Sequence, residues 1–108
     1  MVIFDKPKWH IDAGMNINDV LEKFKLVFDF LADNDMLSDD GREQIEIGID
    51  EECSLNEMAV NKKGKSFLEF CYDDLINYNS KDMAAALDER LISFNKLQEQ
   101  NLSESGIE

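Results

Sequence analysis

Leu37–Asp50 reads LSDDGREQIEIGID, and its two halves carry opposing signals. Ile45, Ile47 and Ile49 alternate with Glu46 and Gly48, which is the period of a half-buried strand. The start of the stretch is that of a helix. Ser38 offers a side-chain oxygen to the N–H groups of a following turn, and Leu37 precedes it as a hydrophobic staple. Asp39 and Asp40 fall where the positive end of a helix dipole favours carboxylates. Read as a helix, the stretch makes the chain mainly α; read as a strand, it makes an α+β protein.

A second stretch favours the helix. Val60–Asp73 reads VNKKGKSFLEFCYD and aligns with the first without gaps at an offset of 23 residues. Leu37 matches Val60, Ser38 matches Asn61, Gly41 matches Gly64, Arg42 matches Lys65 and Asp50 matches Asp73. Both begin with an apolar residue, a capping side chain, two charges, a glycine and a base. In the later copy Phe67, Leu68, Cys71, Tyr72, Leu75 and Ile76 have helical spacing. The cap therefore decides both, with a two-stranded element near residues 44–60 as the alternative.

Two further helices flank this pair. Val20, Leu21, Phe24, Val27, Phe28 and Leu31 form one stripe after a cap at Asn18, ending near Asp33 to Asp35. Met83, Ala84, Leu87, Leu91 and Phe94 form another after a cap at Ser80. The N-terminal VIFDKPKWHIDAGM suits a short extended segment with Trp9 facing inward. The expected fold is a mainly α bundle of three to four helices with a short N-terminal extended segment. One domain spans residues 1–102, followed by a flexible tail over 103–108.

Charge is the unusual feature. Of the 108 residues, 24 are Asp or Glu and 11 are Lys or Arg, a net charge of −13. From Asp29 to Glu57 there are eleven acids and a single base, Arg42, so this segment carries −10 of the total. Such a chain repels nucleic acids and anionic membranes and attracts basic partners. No apolar run reaches the ~18 residues of a membrane span, and no signal peptide is evident. The expected location is cytoplasmic, with Cys53 and Cys71 reduced.

Chemistry is sparse. DNDMLSDDG (33–41) fits no calcium-loop register, because Leu37 and Ser38 occupy positions that need an oxygen ligand and a glycine. His10 and Asp12 form an H-x-D pair, but the chain has one histidine and no second imidazole for zinc. Cys71 lies on an apolar stripe, where a thiol is inert, and Cys53 sits in what reads as an exposed acidic loop. Lys62, Lys63 and Lys65 make a poor nucleic-acid patch in so acidic a chain; the expected partners are acids of the 29–57 segment, either in the same chain or on another copy. The expectation is a non-enzyme with no metal or cofactor.

WHIDAGM (9–15), FLADNDMLSDDG (30–41) and NKKGKSFLEFCYDDL (61–75) together resemble a group of small acidic bacterial proteins of uncharacterised function. In size and charge that group is similar to immunity proteins, which neutralise toxins. The resemblance covers Trp9 to Tyr78 and implies a binding role without catalytic residues. The expected activity is neutralisation of a basic partner, such as a toxin nuclease. Asp35, Asp39, Asp40, Glu43, Glu46 and Glu51 would supply the charge and Met36 an apolar anchor. The alternatives are a homodimeric structural or regulatory module pairing through Leu87, Leu91 and Phe94, and an acidic mimic of nucleic acid.

Overall fold

A computed structural model describes the backbone of residues 2–107 and the side chains of residues 2–100. The tail expected over 103–108 lies outside the described side chains. The chain is mainly α. It runs β1 (Ile3–Asp5), α1 (Pro7–Asp12), α2 (Ile17–Asp33), α3 (Asp39–Ile47), β2 (Leu55–Asn56), α4 (Lys62–Leu75) and α5 (Ser80–Ile107). Five helices replace the expected three to four. The addition is α1, which Pro7 opens at the first helical position, where its fixed φ is already helical. Trp9 consequently points outward at 49% exposure rather than into the core.

The ambiguous stretch is helical through Ile47, so the isoleucine alternation is overridden by the cap. Ser38 accepts from the Gly41 N–H, and Gly48 ends the helix at φ 109°, a conformation glycine adopts without strain. A two-stranded element does exist, but β2 pairs with the N-terminus. Ile3 stands opposite Asn56, and Asp5 opposite Leu55, in antiparallel register. With residues 39–47 coiled, no strand edge is left there for β2, and Ile3–Asp5 supplies one.

The two similar stretches meet each other. Leu37 and Val60 form an isolated antiparallel bridge. Ser38 N–H donates to the Ala59 carbonyl at 3.1 Å, and Asn61 N–H donates to the Met36 carbonyl at 3.0 Å. Ser38 Oγ donates to the Met58 carbonyl at 2.5 Å, and Asn61 Nδ2 to the Asp35 carbonyl at 2.7 Å. Every one of these contacts has its counterpart at the 23-residue offset, so a local pseudo-twofold axis passes between Leu37 and Val60. The glycines complete the symmetry. A Cβ on Gly41 would lie 2.0 Å from the Ala59 oxygen, and one on Gly64 would lie 2.2 Å from the Met36 oxygen. Each helix start is therefore packed directly on the backbone that leads into the other.

The approach to α3 is equally determined. After the C-cap Asn34, Asp35 takes a left-handed φ of 55°. Asp35 N–H then reaches the Ala32 carbonyl and Met36 N–H the Leu31 carbonyl, the paired bonds of a Schellman ending. That ending tucks Met36 into the core beside Leu31. The core itself is the expected one: Phe24, Val27, Phe28 and Leu31 of α2 meet Phe67, Leu68 and Leu75 of α4, and Met83, Leu87 and Phe94 of α5. Two caps fall elsewhere than expected. Asn16, not Asn18, caps α2, because its oxygen takes the Asp19 N–H. Asn79, not Ser80, accepts from Asp82 N–H at the start of α5, which leaves Ser80 Oγ to bond Asp19 at 2.5 Å.

Candidate functional site

Of the six candidate acids, three come together on α3. At 100° per residue, Asp39, Glu43 and Glu46 fall within about 60° of one another, opposite the buried Gly41. All three are exposed, and among the described residues no ion pair reaches any of them. Asp40 lies to one side of this stripe, about 100° from Asp39. Ile47, 75% exposed, continues that side one turn beyond Glu43. At the other end of α3 the Met58 carbonyl receives Ser38 Oγ, and the Met58 side chain is 58% exposed. The outward surface of α3 is thus a row of unpaired carboxylates with an apolar group near each end.

The other candidates lie apart. Asp35 is engaged by Arg42 at 3.3 Å, an exposed pair contributing well under ~1 kcal/mol. Glu51 sits in the loop after α3. Met36 is fully buried, so it cannot serve as a surface anchor; the Schellman ending that exposes Asp35 turns the next side chain inward. Beside the α3 acids, Ile47 and Met58 are exposed apolar groups instead. Glu57 is bound to Lys65 at 3.2 Å and to the Val2 N–H at 3.1 Å, and these contacts hold its carboxyl below the usual range. The lysine cluster is therefore held in part by an acid of the 29–57 segment, as expected. Of the stripe expected to pair two copies, Leu87 and Phe94 are buried in the core of the chain itself and Leu91 is half-buried.

A polar knot fixes the N-terminal segment. Asp5 is fully buried, yet it accepts from Lys6 N–H at 2.9 Å and from the Tyr72 hydroxyl at 2.7 Å. His10 Nε2 completes the set, 2.8 and 2.9 Å from the two carboxylate oxygens. The H-x-D spacing pairs His10 with Asp12, but the carboxylate that His10 meets is Asp5. In a strand His10 and Asp12 would share a face, but on α1 they diverge and the helix carries His10 back over β1. Burial first, and then the charge of Asp5, raise the Tyr72 phenol well above its ordinary range, so it remains a donor. The knot joins β1, α1 and α4 through a satisfied network, which is how a buried carboxylate is tolerated.

Lys23 lies nearby on α2 and is 5% exposed. Its Nζ donates to the Ile76 carbonyl at the end of α4. Desolvation lowers its pKa; Asp5 and Asp19 oppose this through space, and neither forms an ion pair with it. Cys53, expected to be exposed, is buried. Gln44 clamps its loop inward by donating to the Ser54 carbonyl at 3.2 Å and accepting the Ser54 N–H at 3.0 Å. Burial, with Asp50 nearby, pushes the Cys53 thiol up to about 12, and burial does the same to Cys71. Among the described residues no group of three or more His, Cys, Asp or Glu side chains is placed to hold a metal ion. Among the described residues no helix is long and apolar enough to cross a membrane.

No family model, curated protein or solved structure matches this chain.

Proposed function

We propose that the protein is a stoichiometric binding protein that neutralises a basic partner, a toxin enzyme such as a nuclease being the class that fits best. One observation carries this reading: Asp39, Glu43 and Glu46 stand unpaired along the outward face of a helix whose start is fixed from both sides. Carboxylates held in one geometry attract a cationic surface without first breaking internal salt bridges. A nuclease groove must itself be positive to attract phosphates, so it presents the complementary field. Ile47 and Met58 would add apolar contact at the two ends, taking the role expected of Met36. The acids would act chiefly on association rate, where steering gains about 10- to 1,000-fold at low salt.

The test uses the full chain as bait for proteins of its source cell, beside an Asp39→Lys/Glu43→Lys/Glu46→Lys variant. The expected partner is basic, is retained by the wild type at low salt and is lost at ~0.5 M salt, where screening acts within a few Å. It is also lost from the triple variant, and its enzymatic activity falls on adding wild-type protein. Equal capture by the variant, or an undiminished partner activity, refutes the proposal.

A further inference from the structure

We propose that the cavity between α1, α2 and the α4–α5 turn binds a small carboxylate through the Lys23 ammonium. The cavity measures about 150 Å³ and is lined by His10, Met15, Asp19, Val20, Lys23 and Asn77, among others. A water molecule takes about 30 Å³ of liquid, so the space matches a molecule the size of acetate or a small amino acid. It is too small for a nucleotide.

Lys23 is the reason to expect an anion. An ammonium has three donors, and the one acceptor it reaches among the described residues is the Ile76 carbonyl. Buried charges in folded proteins are normally paired, because desolvating an unpaired one is costly. Here the lysine as a whole is 5% exposed, and among the described residues no carboxylate comes within ion-pair distance of its amine. The lowered pKa of Lys23 agrees with that geometry. A carboxylate entering the cavity would supply the missing counter-charge and use the remaining donors.

The walls narrow the class. Asp19, whose Oδ1 accepts from Ser80 Oγ, lies on the same wall and repels any anion, a phosphate dianion about twice as strongly as a carboxylate, which is the weaker repulsion for Lys23 to offset. A monoanion matches the single positive charge. Met15 and Val20 offer an apolar lining to a short aliphatic tail, and Asn77 offers an amide. His10 has its Nε2 committed to Asp5, so it serves as a fixed wall. The site is separate from α3, and either proposal can fail without the other.

The experiment is an NMR titration of the isotopically labelled full chain with sodium propionate, with propionamide and matched sodium chloride as controls. Saturable shifts at Val20, Lys23, Asn77 and Tyr78 are expected with propionate and not with either control. The Lys23 amine should titrate at higher pH when propionate is present, a readout that needs no variant. Lys23→Met, which keeps most of the stem, should weaken binding at least tenfold. Propionate acting no differently from chloride, an unmoved Lys23 titration, or undiminished binding by Lys23→Met overturns the proposal.

Discussion

Replacing Gly41 or Gly64 by alanine puts two physical rules in opposition. Both glycines lie inside helices, where alanine is ordinarily better by about 0.5–1 kcal/mol. The packing gives the opposite sign. A Cβ at Gly41 would sit 2.0 Å from the Ala59 oxygen and 2.9 Å from Leu37 Cδ2, and one at Gly64 would sit 2.2 Å from the Met36 oxygen. Relief requires the two segments to part by roughly 1 Å, which stretches hydrogen bonds of 3.1 and 3.0 Å out of range. Two lost bonds at about 0.5–1.5 kcal/mol each, with overpacking of about 1–3, outweigh the propensity gain. Each variant should therefore lose about 2–4 kcal/mol, a large part of the ~5–15 typical of such a domain. Urea unfolding followed by circular dichroism would show the midpoint falling by on the order of 1–2 M at an unchanged m-value. The double variant should cost less than the sum, because either change alone opens the shared junction. An unchanged or raised midpoint in either single variant would refute the pairing.

Tyr72→Phe removes one donor from the buried Asp5 and should cost about 1–3 kcal/mol in the same urea assay. Lys23→Met should stabilise the protein at neutral pH. The lowered pKa means that the folded chain binds fewer protons than the unfolded one between the folded value and about 10.4, so wild-type stability falls as pH drops through that window. The variant should lose this slope, which thermal melts from pH 7 to 11 would show. Asp35→Gly should gain about 0.5–1 kcal/mol, because a left-handed residue other than glycine is strained and the Arg42 pair lost is weak. Both thiols, pushed up to about 12, should react with a disulfide reagent at pH 7.5 about a thousandfold more slowly than a free cysteine, and at a free-thiol rate only after unfolding.

What could be read from the sequence was local. Ser38 and Asn61 cap helices because a side-chain oxygen three residues before an N–H is a property of neighbours. The α2 and α4 stripes follow from spacing alone. Pro7 is a readable start signal for α1, but the strand-like alternation of Trp9, Ile11 and Ala13 competes with it. The polar knot left no such trace: Asp5 and Tyr72 stand 67 residues apart, and neither residue type announces a buried partner. Lys23 sits between Val20 and Phe24 as an ordinary helical lysine, and only the fold shows that its amine turns inward. Among the acids, exposure on α3 followed from helical geometry, whereas the loss of Met36 to the core depended on a left-handed turn at Asp35.

The reciprocal junction also governs motion. The Ser38 and Asn61 amides each end on a carbonyl belonging to the other's approach, so deuterium cannot enter one without releasing the other. Their exchange should proceed through one shared opening, with equal protection at both amides. Local loosening of α3 would then require α4 to come away as well. A molecule docking on α3 would meet a surface that does not readjust, and its association should follow a single exponential with no slow accommodating phase.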